Sequence, residues 1–332
     1  MKAKVIMSDQ SFKAANLLNE PSYLELASLA DIINEAPETE DEMCQLTKDA
    51  DAVIVGDFPI TPRLIDSSPK LKIVSKCGVG YDNIDIPYAT KRGIIVTNVP
   101  SVLGEPVAEH ALMFMLAVAK KLILGDSLVR ANNWEEFFSG EPGFDLYGKT
   151  LGVVGFGAIG SRLAEISRNS FNMKVLAFDP FLSPEKIRER SAEPVTLEEL
   201  LKSADIVSVH VPLSAATKSL IGEKELRQMK RSAVLINTSR GKVLDEKALV
   251  KALTSGLIAA AGLDVFENEP LDPNSPLLKL RNVTMTPHSA AYTAEATKAL
   301  WLACIRAAID VLNGRPPRKP ANILNPEVVG TK

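Results

Sequence analysis

The chain has 332 residues, of which 46% are hydrophobic and 24% charged, and its net charge is −3. This length suits two domains, and the nearly balanced charge, without basic or acidic tails, argues against a nucleic-acid partner. The longest apolar run, 111–119, is too short to cross a bilayer, and the N-terminus lacks the apolar core of a signal peptide. The three cysteines are widely spaced, with no C-x-x-C pair, which favours the reducing cytoplasm. No membrane partner and no metal site are predicted.

Strand-like and helix-like segments alternate through the first 98 residues. This alternation predicts a parallel sheet with helices on both faces. The predicted strands are 4–7, 31–34, 52–55, 72–75 and 94–97, and the predicted helices are 12–19, 40–48 and 62–67.

A long amphipathic helix is predicted next. Pro106 suits the first helical position, where its missing N–H costs nothing. The helix is expected to run to about Trp134, and a loop follows at 139–144.

The segment 150–180 is typical of a dinucleotide-binding fingerprint. An apolar strand precedes the sequence Gly155-Phe156-Gly157-Ala158-Ile159-Gly160, which fits the pattern G-x-G-x-x-G. A second strand, 174–178, ends at Asp179, about 20 residues after the last glycine. A glycine-rich turn in another α/β fold is the alternative, but the complete order of strand, turn, helix, strand and acid favours a bound dinucleotide.

Each residue of the fingerprint has a physical role. Gly155 permits the tight turn, Gly157 lets the backbone approach a pyrophosphate, and Gly160 lets the helix lie against the strand. The helix N-terminus offers N–H groups and a partial positive charge to the phosphates. Asp179 can accept hydrogen bonds from ribose hydroxyls and would repel a 2′-phosphate, and Pro180 follows where NADP enzymes more often have arginine. The sequence therefore predicts NAD rather than NADP.

Strands and helices continue to alternate beyond Asp179. The predicted fold class is α/β, with two doubly wound parallel-sheet domains and the active cleft between them. A Rossmann NAD-binding domain is predicted at 99–292, and a smaller flavodoxin-like substrate domain is predicted at 1–98 and 293–332. The remaining predicted strands are 206–210, 233–237, 260–263 and 283–286, and the remaining helices are 197–202, 224–229, 246–254 and 293–312.

The chain has only three histidines, so each can be weighed as a catalytic residue. His110 lies among apolar residues of the helix after Pro106, which is typical of a structural histidine. His210 ends a predicted strand, at the edge where doubly wound sheets bind their ligands, and is predicted to contact the cofactor. His288 follows the last predicted strand, a position expected of a catalytic histidine.

Arg240 and an acidic cluster at 264–269 follow two other predicted strands. A surface ion pair is the alternative for either feature alone, and such a pair contributes little. An arginine, a glutamate and a histidine beyond three successive strands of one sheet instead indicate an active site.

These segments resemble the D-isomer-specific 2-hydroxyacid dehydrogenases, a family that includes phosphoglycerate dehydrogenase and glyoxylate/hydroxypyruvate reductase. The resemblance extends nearly from end to end and includes the fingerprint. The other matching motifs are Gly78-Val79-Gly80-Tyr81-Asp82-Asn83-Ile84-Asp85, Val107-Ala108-Glu109-His110-Ala111, His210-Val211-Pro212-Leu213, Asn237-Thr238-Ser239-Arg240-Gly241, Gly262-Leu263-Asp264-Val265-Phe266, Glu269-Pro270 and Thr286-Pro287-His288.

The resemblance implies an NAD-dependent oxidoreductase that interconverts a D-2-hydroxy acid and its 2-oxo acid by hydride transfer. It also implies a homodimer, with the helix after Pro106 in its interface. The implied catalytic residues are Arg240, Glu269 and His288, and the implied substrate-binding residues are Lys76, Gly78, Val79, Gly80 and Arg240. The implied cofactor-binding residues are Gly155, Gly157, Ala158, Ile159, Gly160, Asp179, His210, Val211, Pro212, Thr217, Thr238, Ser239 and Asp264.

The expected mechanism follows from charge. Arg240 can bind the substrate carboxylate with paired donors and polarise the adjacent carbonyl. His288 would donate the proton during reduction, as a general acid, and act as the base during oxidation. Glu269, on the other ring nitrogen, would hold the tautomer and stabilise the imidazolium.

The sequence says less about the tail of the substrate. Lys76 stands where several relatives have arginine and could bind a second anion, with an exposed lysine at a strand end as the alternative. Gly56-Asp57-Phe58 stand where phosphoglycerate-type relatives have a further arginine, which argues against a phosphorylated substrate. The expectation is also that no room is left for the regulatory domain of longer phosphoglycerate dehydrogenases.

Two other functions share this scaffold. A corepressor branch of the family keeps the fold, the NAD site and the catalytic three, but acts as an NAD-responsive binding protein. The lack of basic or disordered extensions argues against it. A phosphite-type dehydrogenase also keeps the catalytic three, whereas formate dehydrogenases replace the glutamate.

Overall fold

The computed structural model describes residues 2–9 and 11–329 of the chain. The chain folds into two compact units. The terminal unit is Met1–Leu103 with Tyr292–Lys332, and the central unit is Gly104–Ala291. Within the described ranges, no helix combines the length and the apolar character that a membrane span requires.

The elements of the two units follow one another in chain order. The terminal unit begins with β1 (Ala3–Ser8), α1 (Phe12–Ala15), α2 (Pro21–Leu29), β2 (Ala30–Asn34), α3 (Glu40–Thr47), β3 (Ala52–Val55), α4 (Pro62–Ser67), β4 (Ile73–Lys76), α5 (Ile86–Lys91) and β5 (Ile95–Asn98). The central unit contains α6 (Gly104–Ala119), α7 (Leu122–Arg130), α8 (Trp134–Ser139), β6 (Thr150–Val154), α9 (Ala158–Phe171), β7 (Lys174–Phe178), α10 (Pro184–Glu189), β8 (Glu193–Pro194), α11 (Leu197–Ser203), β9 (Ile206–Val209), α12 (Glu223–Leu226), β10 (Val234–Asn237), α13 (Glu246–Thr254), β11 (Ala260–Leu263) and β12 (Val283–Met285). The chain then completes the terminal unit with α14 (Ala294–Leu312) and β13 (Asn322–Ile323), and short 3₁₀ turns lie at Gly241–Val243, Pro276–Lys279 and Pro326–Val328.

The terminal unit is built on a six-stranded sheet with the strand order β13-β5-β4-β3-β1-β2. β1 to β5 pair in parallel, and the two-residue β13 pairs antiparallel with β5 at the edge. All residues of β3 and β4 are buried, and α14 packs across them. The order 2-1-3-4-5 of the parallel strands is that of flavodoxin-like folds, so the predicted class of this unit is confirmed.

The central unit is built on a seven-stranded parallel sheet with the order β12-β11-β10-β9-β6-β7-β8. Counted from its first strand, β6, this is the Rossmann order 3-2-1-4-5-6 with one additional strand, and the predicted Rossmann fold is confirmed. The direction of winding reverses between β6 and β9. Ligands of such sheets bind beyond the carboxyl ends of the strands at that point.

Every strand predicted from the sequence is present, with ends within one residue of the prediction. The short strands β8 and β13, of two residues each, were not predicted. Helices α2, α5 and α10 were also missed, and the predicted helix 12–19 is limited to Phe12–Ala15. The periodicity and length of the apolar segments therefore predicted the strands better than the surface helices.

The single helix predicted from Pro106 to about Trp134 is wrong, because three helices occupy this segment. Lys121, with a φ of 52°, and Asn132, with a φ of 54°, adopt left-handed conformations that separate α6, α7 and α8. Pro106 is also not the first helical residue, since α6 begins at Gly104. Its missing N–H still costs nothing, because N–H groups of the first helical turn have no acceptor within the helix.

Candidate active site

The glycine-rich turn joins β6 to α9 at the carboxyl edge of the central sheet. Gly155 has a φ of +92°, and a Cβ there would lie 2.8 Å from the carbonyl group of His210. A Cβ at Gly160 would lie 2.2 Å from the Gly155 carbonyl oxygen, so glycine alone lets α9 approach the turn. A Cβ at Gly157 would meet nothing within 4 Å, which leaves open space at the N-terminus of the helix. Exposed Ala158 and half-buried Ile159 form the first turn of α9, as a pyrophosphate site requires.

Asp179 follows β7 and binds the glycine-rich turn directly. Its Oδ2 accepts a hydrogen bond from the Phe156 N–H and its Oδ1 accepts one from the Phe181 N–H, each at 2.9 Å. Arg190 adds a cation here, since its Nη1 donates to the Phe156 carbonyl oxygen at 3.2 Å. The carboxylate predicted to bind the ribose is therefore held in place beside the glycine-rich turn.

His210 lies at the carboxyl end of β9, beside the turn. Its Nε2 and the Ser208 Oγ are 2.8 Å apart, whereas its Nδ1 has no hydrogen-bond partner within the described part of the chain. Burial of the imidazole lowers its pKa to about 4, so the ring is neutral near pH 7. A neutral ring with one nitrogen unused suits a ligand contact and not a charged catalytic role.

Val211 and Pro212, which follow His210, differ in their exposure. Val211 is 8% exposed and belongs to the apolar core, against the Cβ position of Gly155. Pro212 is exposed, and its carbonyl oxygen accepts a hydrogen bond from the Thr217 hydroxyl at 2.6 Å. Thr217 therefore closes the turn at 212–217 with its side chain.

The end of β10 carries the predicted arginine. Arg240 is half-buried, and its Nη1 donates to the Ser239 carbonyl oxygen at 2.9 Å. The Asn237 side chain fixes this segment, since its Oδ1 accepts from the Ser239 N–H and hydroxyl and its Nδ2 donates to the Arg240 carbonyl oxygen. The adjacent Thr238 is buried, and its hydroxyl has no partner among the described residues.

Asp264 is the buried anchor of the site, with 0% of its surface exposed. Its Oδ1 accepts from the Thr286 hydroxyl at 2.5 Å and from the Ser289 N–H at 2.8 Å, and its Oδ2 accepts from the Ala290 N–H at 2.9 Å. His110 Nε2 lies 2.9 Å from the same Thr286 hydroxyl, and burial lowers the pKa of this histidine although the nearby Asp264 carboxylate opposes the shift. Asp264 and His110 thus hold the segment that follows β12.

That segment presents His288 to Glu269. His288 has a φ of +50°, and its N–H donates to the Asp264 carbonyl oxygen at 2.7 Å. Its Nδ1 lies 2.7 Å from Glu269 Oε2, and both side chains are about one-third exposed. Glu269 Oε1 in turn accepts from the Phe266 N–H at 2.9 Å, which orients the carboxylate. A histidine held through Nδ1 by an oriented carboxylate can exchange protons at its other nitrogen.

The predicted substrate loop belongs to the terminal unit, at the end of β4. Gly78 has a φ of +157°, its carbonyl oxygen accepts from the Val99 N–H at 2.9 Å, and Asn98 Nδ2 donates to the Val79 carbonyl oxygen at 2.6 Å. Gly80 follows within the same half-buried loop. The alternative of an exposed lysine at Lys76 is wrong, because this side chain is only 2% exposed and its ammonium is already bonded inside the unit.

Four residues of these sites were not identified from the sequence. Arg190 and Asn98 act through hydrogen bonds to main-chain carbonyl groups, which leave no motif, and Asn83, which was quoted only within the motif 78–85, acts in the same way. Thr286 was quoted only as part of a motif, although it links Asp264 to His110. The position of Thr286 at the end of a predicted strand was the one available signal.

Five features of the central unit fit a bound dinucleotide. The turn leaves open space at Gly157, α9 begins there, and the Thr238 hydroxyl and His210 Nδ1 are buried polar atoms without partners within the described chain. Buried polar atoms normally have hydrogen-bond partners, so these two indicate a polar ligand. Asp179 completes the set at the ribose end.

Comparison with known proteins agrees with this geometry. Residues 112–290 match the family described as D-isomer specific 2-hydroxyacid dehydrogenase, NAD binding domain. The chain is 43% identical over 299 residues to a glyoxylate reductase of Korarchaeum cryptofilum, covering 89% of each chain. It is 45% identical over 286 residues to a glyoxylate reductase of Thermococcus litoralis, covering 85% of each.

Solved structures are similar over nearly the whole chain. The D-lactate dehydrogenase of Aquifex aeolicus, complexed with NAD and lactic acid, superposes with a TM-score of 0.81 and 31% identity, covering 94% of this chain and 96% of that one. The fingerprint, the strand orders and these relatives all agree. The chain belongs to the D-isomer specific 2-hydroxyacid dehydrogenase family and is an NAD-dependent enzyme of that family.

Proposed function

We propose that this enzyme interconverts a small, unphosphorylated 2-oxo acid, of the size of glyoxylate or hydroxypyruvate, and the corresponding D-2-hydroxy acid. The observation that carries the proposal is the 2.7 Å contact between His288 and Glu269 on the sheet edge that also bears the dinucleotide turn. The names of the relatives support the substrate class, since two of them are glyoxylate reductases. The terminal unit is proposed as the substrate domain, which was predicted at 1–98 and 293–332. The central unit is proposed as the NAD domain, which was predicted at 99–292.

The proposed mechanism assigns one task to each of three residues. Bound NADH supplies the hydride for the carbonyl carbon. Arg240 binds the substrate carboxylate through its planar guanidinium and polarises the adjacent carbonyl. His288 gives a proton from Nε2 to the developing alkoxide. Glu269 holds the Nδ1 proton and stabilises the imidazolium before that transfer.

Two groups of residues are proposed to hold the cofactor. Gly155, Gly157 and Gly160 with the start of α9 bind the pyrophosphate, and Asp179 binds the ribose hydroxyls. Thr238, Ser239, Asp264 and the segment from His210 to Thr217 surround the remainder. The carboxylate of Asp179 disfavours a 2′-phosphate, so NADH is proposed as the preferred cofactor over NADPH.

Turnover of a substrate panel tests the proposal. The native enzyme should oxidise NADH with glyoxylate or hydroxypyruvate, and His288→Asn should lower kcat by about 10²–10⁴-fold while the Kd for NADH stays nearly unchanged. NADH binding without turnover of any 2-oxo acid would instead indicate a corepressor-like binding protein. Reduction of NAD by phosphite, with no 2-oxo acid reduced, would indicate the phosphite-type reaction.

We also propose a homodimer in which the helices α6 to α8 form the interface. The support is a group of apolar side chains on α7 and α8, each more than half exposed, that a partner copy would cover. Light scattering at micromolar concentration should give twice the chain mass, and a monomer would contradict the proposal. The exposed side chains are Leu122, Ile123, Val129, Trp134 and Phe138.

A cytoplasmic location is proposed as well. All three cysteines, Cys44, Cys77 and Cys304, are free thiols, as a reducing compartment favours. Cell fractionation with the activity as the marker would test the location.

A further inference from the structure

The predicted substrate loop that follows β4 is held through two of its carbonyl groups. The Gly78 carbonyl oxygen accepts from the Val99 N–H at 2.9 Å, and the Val79 carbonyl oxygen accepts from Asn98 Nδ2 at 2.6 Å. A trans peptide group directs its N–H away from its C=O. The Val79 and Gly80 N–H groups belong to the same two peptide groups as these carbonyls. Both N–H groups therefore point away from the end of β5.

These two N–H groups are available to a ligand. Neither of them donates to an acceptor in the described part of the chain, and Val79 and Gly80 are both half-buried. Successive N–H groups that are directed to one side form a concavity that binds anions, including carboxylates. The bond from Asn98 maintains this arrangement, because it prevents the Val79–Gly80 peptide group from rotating and turning the Gly80 N–H to another side.

The side-chain amide of Asn98 is itself fixed in orientation. Asn98 is 3% exposed, and its Oδ1 accepts from Asn322 Nδ2 at 3.0 Å. Because the amide oxygen binds this donor, the NH₂ group of the same amide faces the Val79 carbonyl oxygen. The reversed amide would place two oxygens against each other at Val79 and two NH₂ groups against each other at Asn322, and buried polar groups left unpaired in this way are destabilising.

Asn322 is placed by the C-terminal segment, which is bound along β5. The strand β13 pairs antiparallel with β5, and Asn322 lies opposite Asn98. The Leu324 N–H donates to the Val96 carbonyl oxygen at 2.8 Å, and Asn325 Oδ1 accepts from the Val96 N–H at 2.8 Å. These contacts hold Asn322 against Asn98, although the two residues are far apart in the chain.

We infer that Asn98 and Asn322 are positioning residues for the substrate carboxylate: Asn322 orients the Asn98 amide, and Asn98 directs the N–H groups of the loop toward the acid. The inference rests on the proposed function, in which the terminal unit binds the 2-oxo acid. Both asparagines act through the loop and not by direct contact with the substrate. Their effect should therefore appear in the binding of the carboxylate and not in the binding of NADH.

The experiment measures carboxylate binding in two ways. The first is KM and kcat for glyoxylate or hydroxypyruvate, whichever the native enzyme reduces faster. The second is the Kd for oxamate, a carboxylate analogue of a 2-oxo acid that is not reduced, measured with NADH present. The Kd for NADH and the Tm are measured beside them, so that a general loss of structure is detected.

Asn98→Leu keeps the branched shape of the side chain and removes both of its hydrogen bonds. It should raise KM and the oxamate Kd by about 10- to 100-fold, with a smaller change in kcat, because the N–H groups are no longer aligned with a charged acceptor.

Asn322→Asp tests the orientation of the amide from the exposed side of the contact. Aspartate cannot donate to Asn98 Oδ1, so it favours the reversed amide, whose oxygen faces the Val79 carbonyl. This variant should raise KM and the oxamate Kd by about 3- to 10-fold, and Asn322→Gln, which keeps an NH₂ donor, should raise them less. Added salt should not restore the native KM, whereas simple repulsion by the new carboxylate would weaken with salt.

Asn34→Asp is the matched control. Asn34 is an exposed residue at the end of β2, the strand at the opposite edge of this sheet from β13. The variant makes the same change in charge and should leave KM within about twofold of native, because exposed charges far from the loop are screened.

The possible failures are distinguishable. If the native enzyme reduces a 2-oxo acid, but neither Asn98→Leu nor Asn322→Asp changes KM or the oxamate Kd, the inference is wrong and the proposed function stands. An equal rise in the Kd for NADH would indicate a general loss of structure and would also contradict the inference. If Asn98→Leu does not fold, the exposed Asn322 variants decide. If the native enzyme reduces no 2-oxo acid, the proposed function is wrong and the inference falls with it.

Discussion

The variant Asp264→Asn tests whether the buried carboxylate anchors the segment 286–290, which follows β12 and carries His288. Two backbone N–H groups bind different oxygens of this side chain: Ser289 binds Oδ1 and Ala290 binds Oδ2. Asparagine keeps one oxygen, so in either orientation one of these N–H groups faces an NH₂ group and loses its acceptor. An unsatisfied buried donor costs about 1–3 kcal/mol, and bonds to a charged acceptor are at the upper end. The expected destabilisation is therefore about 2–3 kcal/mol.

This loss should appear in both stability and catalysis. For a unit of this size, 2–3 kcal/mol corresponds to a Tm lowered by about 4–12 °C in calorimetry. Because the Asp264 carbonyl also accepts the His288 N–H at 2.7 Å, a displaced segment should lower kcat by about 10- to 100-fold.

A control variant separates this effect from the loss of any carboxylate. Asp205 binds the Thr150 N–H at 2.9 Å and Lys230 Nζ at 2.8 Å, but it is partly exposed and lies at the opposite edge of the sheet. Asp205→Asn should cost less than about 1 kcal/mol, because water can replace the lost contact, and should leave kcat unchanged. Equal Tm values for Asp264→Asn and Asp205→Asn would refute the reasoning.

Four further variants test the cofactor site and its titration. Asp179→Ala should narrow the preference for NADH over NADPH, measured as a ratio of kcat/KM values, because the carboxylate no longer repels a 2′-phosphate; equal values for both cofactors in the native enzyme would contradict the assignment. Gly160→Ala should lower Tm, since its Cβ would lie 2.2 Å from the Gly155 carbonyl oxygen. Gly157→Ala, whose Cβ would meet nothing within 4 Å, should chiefly raise the KM for NADH. The reverse pattern would count against the proposed roles of the two glycines. Burial lowers the pKa of His210 from 6.5 to about 4, so between these pH values the unfolded state binds more protons than the folded state. The free energy of unfolding should therefore fall as the pH falls through this window, by about 2–3 kcal/mol between pH 7 and 4.5. His210→Gln should remove this part of the acid loss in a series of Tm measurements, and an unchanged acid loss would show that His210 does not titrate as inferred.

The sequence predicted the sheets well because buried parallel strands are short, apolar and bounded by turns. It failed where conformation depends on a single backbone dihedral. The left-handed Lys121 divides a segment whose apolar pattern is otherwise continuous, and lysine has no particular preference for that conformation. The strand β8 was missed because its two residues are too few to show alternation.

Prediction of the site had a similar limit. The positions of Arg240, Glu269 and His288 followed from their place after strands and from a family resemblance. The contacts that hold them did not, because the Asp264 carboxylate binds the main-chain N–H groups of Ser289 and Ala290, which any residue except proline can provide. The burial of Lys76 was also hidden, since lysine is rarely buried unless it is paired and its partner, Asp57, lies 19 residues earlier in the chain.

The pH dependence of kcat in Glu269→Gln tests the central claim most directly, namely that His288 acts as the proton donor with Glu269 as its partner. In the proposed mechanism, reduction of the 2-oxo acid requires the protonated imidazole, and the carboxylate 2.7 Å from Nδ1 stabilises that form. Glutamine keeps a hydrogen-bond acceptor without the charge. The alkaline limb of the kcat profile for reduction should therefore move to lower pH than in the native enzyme, with a milder loss of rate at low pH. A profile that coincides with the native one would mean that Glu269 does not act on the catalytic histidine, and the assignment of these residues would be wrong.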